Sequence, residues 1–93
     1  MQPDIIKIVE LDFENPKEVV NILEAMKFMN RRPVSDRVYR AIIFLSKGSM
    51  SRLNHFTELA LTDYRDLLWQ AEYENPEVQK YDFNKSFSEL GIV

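Results

Sequence analysis

His55 is the only histidine of the chain, and histidine is the residue type best suited to acid–base or metal chemistry near neutral pH. On a helix, Glu58, Thr62 and Asp66 would follow it on much the same side. A single catalytic metal usually takes three protein ligands, and a two-metal bundle needs two Glu-x-x-His pairs, so this set is incomplete. A solvated helix face explains the pattern better, and we expect no metal and no cofactor. A small hydrolase or metal enzyme centred on His55, Glu58 and Asp66 is the third hypothesis.

Nucleophilic catalysis has no better basis in the sequence. The chain contains no cysteine, and the stretch SKGSMS, residues 46–51, is neither a Gly-x-Ser-x-Gly elbow nor a phosphate-binding loop. Gly48 and Gly91 are the only glycines, so no glycine-rich nucleotide fingerprint can form. Because no nucleophile, base and oxyanion donors occur as a set, we predict no catalytic residue and no enzymatic activity.

Basic residues cluster near the middle of the chain. The members are Arg31, Arg32, Arg37, Arg40 and Lys47. Helical spacing places Phe44 on the same side as Arg37 and Arg40, opposite an apolar face. Arginine beside an aromatic ring could stack on single-stranded nucleic acid or attract an acidic peptide. In the second interpretation, Phe44 packs beneath the C-terminal arm while the charges are solvated.

The overall charge disfavours nucleic acid as the partner, because the net charge is −3. Two helices flanking SKGSMS would fit a helix-turn-helix reader, but the second of them is mostly acidic and would repel phosphate. Its charged residues include Glu58, Asp63, Asp66, Glu72 and Glu74 against Arg52 and Arg65. A nucleic-acid-associated accessory protein, or a helix-turn-helix-like protein, is therefore the second hypothesis.

The stretch TDYRDLLWQAEY, residues 62–73, has a helical rhythm but carries aromatic residues on both sides. At about 100° per residue, Tyr64 and Leu67 share the face expected to pack inward. Trp69 and Tyr73 fall nearly opposite, and such residues contribute strongly to protein interfaces. Either the C-terminal arm folds back over this helix, or a second chain covers it. A homodimer would place Trp69 near its two-fold axis.

The composition is that of a soluble globular domain. The chain of 93 residues is 45% hydrophobic and 29% charged, which suits one core rather than two. The first residues form no signal peptide, and no apolar run approaches the roughly 20 residues of a membrane span. Together with the lack of cysteine, these features predict a cytoplasmic protein without membrane contact, with one domain over residues 1–93.

The elements that would position these residues are helices, because glycines are few and no low-complexity tract interrupts the chain. Asn15, Pro16 and Glu18 form a capping signal, which predicts a helix over 16–29. Its inward face would be Val19, Ile22, Leu23 and Met26.

Three further segments are assigned from similar signals. Ser35 or Asp36 can cap a helix over 36–47. A short helix is predicted over 4–12, because its Ile- and Val-rich sequence has no second strand to pair with. The aromatic residues near the C-terminus predict an arm over 76–93 that packs on the bundle.

The longest predicted helix covers residues 51–74 and ends at Asn75 and Pro76. Thr62 and Asp63 are its weakest point because both prefer helix caps, so a break there is the alternative. The apolar stripe stays in phase across them, which favours one continuous helix. The stripe consists of Leu53, Phe56, Ala60, Tyr64, Leu67 and Ala71.

The sequence thus predicts an all-α fold, a small three- to four-helix bundle with an aromatic-containing C-terminal arm. The leading hypothesis for its function is a non-catalytic protein-interaction or regulatory module that binds a protein partner or a second copy of itself. The candidate interaction residues are Trp69, Tyr73, His55, Phe44, Arg37 and Arg40.

Overall fold

A computed structural model of the chain describes residues 1–29 and 33–92. In this part of the chain, helices occupy Pro3–Asp12 (α1), Pro16–Met29 (α2), Asp36–Ser46 (α3) and Met50–Glu72 (α4). A short antiparallel hairpin follows, with strands at Tyr73–Asn75 (β1) and Val78–Gln79 (β2). Residues 80–92 form the C-terminal arm, which contains neither helix nor strand. The predicted fold class, a small helical bundle with an aromatic arm, is confirmed.

Local capping interactions explain where α2 and α3 begin. The Asn15 side chain accepts the backbone N–H of Glu18 at 3.3 Å, and its amide donates to the Glu18 carboxylate at 3.3 Å. Ser35 Oγ accepts the N–H of Val38 at 3.3 Å, so Ser35 rather than Asp36 caps α3. These side chains satisfy first-turn amides that have no partner within the helix.

The turn between α3 and α4 packs closely against the end of α1. Lys47 and Gly48 both adopt left-handed conformations, with φ of 48° and 79°. A Cβ atom added to Gly48 would lie 2.5 Å from the carbonyl oxygen of Asp12. Glycine is therefore required here both by the backbone angle and by the close approach of α1.

The prediction of one continuous helix over 51–74 is wrong, because α4 is kinked at Asp63. Asp63 has φ of −153° and ψ of 84°, far from helical values. Its side chain accepts the N–H of Asp66 at 3.3 Å and so caps a new helical segment, while the Thr62 hydroxyl bonds back to the Glu58 carbonyl at 3.0 Å. The predicted alternative, a break at Thr62 and Asp63, is what occurs.

The end of α4 also differs from the prediction. The helix stops at Glu72 rather than at residue 74, because Tyr73 is extended and opens a hairpin that the sequence analysis did not predict. Tyr73 pairs with Gln79 and Asn75 with Val78, with an irregularity between the two pairs. Asn75 Oδ1 accepts the N–H of Glu77 at 3.0 Å and stabilises the turn.

The core takes side chains from every helix and from the arm. Phe83 and Phe87 of the arm are among the most deeply buried residues, although they lie outside any helix. Tyr64, predicted to face inward, is instead 46% exposed and directly follows the kink, whereas Leu67 and Ala71 of the same predicted stripe are buried. The buried apolar residues are Ile5, Ile8, Val9, Phe13, Val19, Leu23, Met26, Val38, Tyr39, Ala41, Ile42, Ile43, Leu53, Phe56, Ala60, Leu67, Ala71, Phe83 and Phe87.

Among the described residues, none of the helices is long and apolar enough to cross a membrane.

Candidate interaction surface

Arg40 of α3 is buried and joins α1 to the C-terminal arm. Its guanidinium donates to both carboxylate oxygens of Asp4, at 2.9 and 3.1 Å, and to the carbonyl oxygen of Phe83 at 3.0 Å. Asp4 also accepts the backbone N–H of Phe87 at 3.0 Å. The Arg40–Asp4 ion pair therefore holds the arm at Phe83 and at Phe87. The carboxylate and the hydrogen bonds compensate the buried charge of Arg40.

Arg37, one turn earlier on α3, forms the second ion pair. It donates through Nε and Nη2 to the two carboxylate oxygens of Glu72, the last residue of α4, and the Nε bond is 2.9 Å long. Glu72 is fully buried and also accepts the backbone N–H of Phe83 at 2.9 Å. The carboxylate thus connects the end of α4 to both α3 and the arm.

The environment of Asp4 lowers the pKa of its carboxyl group. Partial burial acts to raise that pKa, but hydrogen bonds from Arg40 and from the N–H of Phe87, together with the positive charge of Arg40, outweigh the effect of burial. The negative form of Asp4 is therefore the one that the fold stabilises.

The arm packs on α3 through aromatic contacts. The ring of Phe44 lies 5.1 Å from the ring of Tyr81 and 5.2 Å from that of Phe83, measured between centroids. Phe83 in turn contacts Phe87 at 6.0 Å. Phe44 therefore packs beneath the arm, as the second interpretation of the sequence predicts.

The basic cluster does not form an open basic and aromatic surface in the described residues. Arg40 is 6% exposed, Arg37 is held by Glu72, and Phe44 is covered by the arm. Helical spacing placed Arg37 and Arg40 on the solvent side, because their carboxylate partners are distant in sequence and could not be identified from it. Arg31 and Arg32 of the predicted cluster lie outside the described residues.

Trp69 and Tyr73, in contrast, face outward from α4 and the start of β1. Trp69 is 51% exposed and Tyr73 is 37% exposed. The interpretation in which the arm covers them is wrong, because the arm packs against Phe44 on α3. Trp69 and Tyr73 line one shallow cleft, whose other walls are Gln70, Glu74, Asn75 and Pro76.

The segment that carries Trp69 is firmly anchored on its opposite side. Leu67, Ala71 and Glu72 are buried in the core, so the orientation of this helical segment is fixed. Arg65 is exposed and lies one turn before Trp69, on the same side. We call the exposed side formed by Arg65, Trp69, Gln70, Tyr73 and Glu74 the Trp69 face.

His55 and Glu58 lie on the exposed side of α4, before the kink. Together with Thr62 they line a shallow depression. The centroids of the His55 and Phe56 rings lie 4.9 Å apart, and the ring planes are nearly perpendicular. Asp66, beyond the kink, accepts a hydrogen bond from Gln70 at 3.3 Å. No three histidine, aspartate or glutamate side chains within residues 1–29 and 33–92 are grouped to hold a metal ion.

The hairpin wall of the cleft is the part of this surface that the sequence analysis missed. Asn75, Pro76 and Glu77 separate short runs that contain Tyr73 and Val78, and such a turn between aromatic and β-branched residues is a hairpin signal. The signal was weak because the two strands are only three and two residues long.

Comparisons with protein-family models, with curated proteins and with solved structures gave no match for this chain. Its function is therefore inferred from the geometry and chemistry of its own surface.

Proposed function

We propose that this chain is a non-catalytic α-helical protein-interaction module whose binding surface is the Trp69 face. One observation carries the proposal: Trp69 and Tyr73 are both substantially exposed and line the same cleft. Single exposed apolar residues are ordinary, but adjacent Trp and Tyr side chains around a concavity are typical of the centre of a protein interface.

The energetic reason lies in the area and rigidity of these side chains. Tryptophan and tyrosine bury large surfaces on binding, at roughly 25 cal/mol for each Å² of apolar area, and have few rotatable bonds to immobilise. The helical segment beneath them is already fixed by Leu67, Ala71 and Glu72. The helix is therefore already ordered before a partner binds, so binding loses little conformational entropy from its backbone.

Binding of nucleic acid finds no comparable support. The arginines proposed for it, Arg37 and Arg40, already neutralise Glu72 and Asp4. The exposed side of α4 carries Glu58 and Asp63, which would repel phosphate. We therefore retain protein interaction as the proposed function.

Site-specific photo-crosslinking would test the proposal. Gln70, which lines the cleft, would be replaced by p-benzoylphenylalanine and the protein irradiated in cells that carry its natural gene. Glu24, exposed on α2, is the matched control position. We expect a discrete protein adduct from position 70 that disappears when Trp69→Ala is added, and no such adduct from position 24.

Two outcomes would contradict the proposal. One is the absence of any adduct from position 70. The other is an adduct pattern that is the same at positions 24 and 70 and is unaffected by Trp69→Ala, because that pattern would indicate nonspecific collision.

A further inference from the structure

We infer that the occupant of the Trp69 face is a second copy of the same chain, packed antiparallel about a two-fold axis that passes between the two Trp69 side chains. This inference rests on the proposed function and names its partner. It follows from how charged and aromatic residues are distributed around Trp69.

Arg65 and Tyr73 lie on either side of Trp69 along the chain. Arg65 is four residues before Trp69 on α4, and Tyr73 is four residues after it, at the first position beyond the helix. Antiparallel packing about a two-fold axis near Trp69 places residues that precede Trp69 in one copy beside residues that follow it in the other. In the dimer, Arg65 of one copy would therefore lie near the partner's Tyr73, and the same contact would occur a second time.

The side chains of Arg65 and Tyr73 have complementary chemistry. A guanidinium over a tyrosine ring is a favourable cation–π contact. Glu74, adjacent to Tyr73 and lining the same cleft, would offer a carboxylate to the same guanidinium. Within the described residues, neither Arg65 nor Glu74 takes part in an ion pair, so both charges are available to a partner.

A second copy of the chain carries both the cation and its aromatic and acidic partners. Antiparallel packing gives two Arg65–Glu74 pairs, one on each side of a central pair of Trp69 side chains. An isologous interface of this kind has an apolar aromatic centre and a charged rim, which is the usual arrangement of protein interfaces.

The size of the face limits the strength of the association. The helical segment after the kink, residues 64–72, is about 14 Å long, and the hairpin turn extends it only slightly. A face of this length offers less area than the roughly 800 Å² that each partner contributes to a standard stable complex. We therefore expect a dissociation constant in the range of about 10 to 100 µM.

Charge reversal combined with sedimentation equilibrium would test the inference. We expect the wild type to dimerise between about 10 µM and about 1 mM, and Arg65→Glu or Glu74→Arg alone to weaken dimerisation at least about tenfold. The double variant R65E/E74R would restore dimerisation, because the pair is re-formed with its signs exchanged. Both residues are exposed, so unchanged circular dichroism and urea midpoints would show that folding is retained.

Fluorescence offers an independent measurement, since Trp69 is the only tryptophan. Its emission maximum should move to shorter wavelength with increasing protein concentration in the wild type and in R65E/E74R. In each single variant the emission maximum should stay constant over the same concentrations.

The outcomes separate the two proposals. A monomeric wild type at about 1 mM, or a double variant that associates no better than the single variants, would overturn the self-association. If position 70 then still gave a discrete adduct with another protein, the interaction module would stand with a different partner. If it gave no adduct, both proposals would be wrong.

Discussion

Arg37 and Glu72 form a two-point ion pair in which the carboxylate is fully buried and the guanidinium side chain is 33% exposed. The pair ties the start of α3 to the end of α4, and Glu72 immediately precedes the exposed Tyr73 in the chain. Because Glu72 also accepts the N–H of Phe83, the arm and the anchor of the Trp69 face depend on the same carboxylate.

The first prediction concerns this carboxylate. Glu72→Gln should lower the free energy of unfolding by about 2 kcal/mol, because a buried charge-assisted pair is replaced by a neutral amide that cannot accept both Arg37 bonds. Glu74→Gln, two residues later and exposed, should change it by less than about 0.5 kcal/mol. Urea denaturation near neutral pH measures both, and equal effects of the two substitutions would contradict the assigned role of Glu72.

The second prediction concerns acid stability. The pKa of Asp4 lies below its ordinary value of 3.8, so the unfolded chain binds the proton more readily. The stability that Asp4 contributes is therefore complete above that value and is lost as the pH falls through the lower pKa of the folded state. The wild type should lose more stability than Asp4→Asn between about pH 5 and about pH 2.

The control for the substitution itself is Asp12→Asn, which changes an exposed carboxylate of the same helix. Its free energy of unfolding near neutral pH should differ from that of the wild type by less than about 0.5 kcal/mol. If Asp4→Asn and the wild type instead lose stability in parallel, Asp4 is not held in its charged form by Arg40.

The third prediction compares the two glycines, which both have positive φ angles. At Gly91, with φ of 72°, an added Cβ would meet nothing within 4 Å, so Gly91→Ala should cost only about 1 kcal/mol of backbone strain. At Gly48 the same atom would approach the Asp12 carbonyl oxygen to 2.5 Å, so Gly48→Ala should cost at least about 2 kcal/mol. Thermal or urea unfolding would show the order, and a smaller loss for Gly48→Ala would refute the close contact with α1.

The fourth prediction concerns Tyr39, which is buried and whose hydroxyl makes no hydrogen bond within the described residues. Tyr39→Phe should therefore leave stability unchanged or raise it by about 1 kcal/mol. Burial, with the nearby charges of Glu24 and Asp36, raises the pKa of Tyr39 above 10.0. Below that value the group leaves stability independent of pH, and as the pH rises stability falls because the unfolded chain ionises more readily.

The gap between Tyr39→Phe and the wild type should therefore widen in favour of the variant above about pH 10. Tyr64→Phe, at an exposed position, is the matched control and should change the free energy of unfolding near neutral pH by less than about 0.5 kcal/mol. A clear loss of stability in Tyr39→Phe at neutral pH would show that its hydroxyl has a partner.

The features that the sequence predicted correctly depend on neighbouring residues. The cap at Asn15 and Glu18 involves residues three apart, and its geometry follows from local backbone structure. The outward direction of Trp69 likewise follows from helical spacing and from the burial of Leu67 and Ala71. Such features need no knowledge of how the helices are arranged.

The features that the sequence did not predict depend on distant partners. Arg40 meets Asp4 across 36 positions, and Arg37 meets Glu72 across 35. Both arginines fall on the polar side of their helix, and carboxylates of α4 and α1, together with the arm, make them structural. The kink at Asp63 was visible as a weak point, but the apolar stripe continued past it, and its periodicity favoured the wrong alternative.

The hydrogen bond from the Phe87 N–H to Asp4 joins positions that are 83 residues apart. During synthesis on the ribosome, the 83 residues after Asp4, up to and including Phe87, take about 4 to 17 s to be added at ordinary elongation rates, and the hydrogen bond cannot form earlier. Until then α1, Arg40 and Phe44 of α3 have been synthesised but are not yet covered by the arm. Completion of this domain therefore requires the synthesis of Phe87, and until that point the nascent chain presents to chaperones an apolar surface that the folded domain conceals.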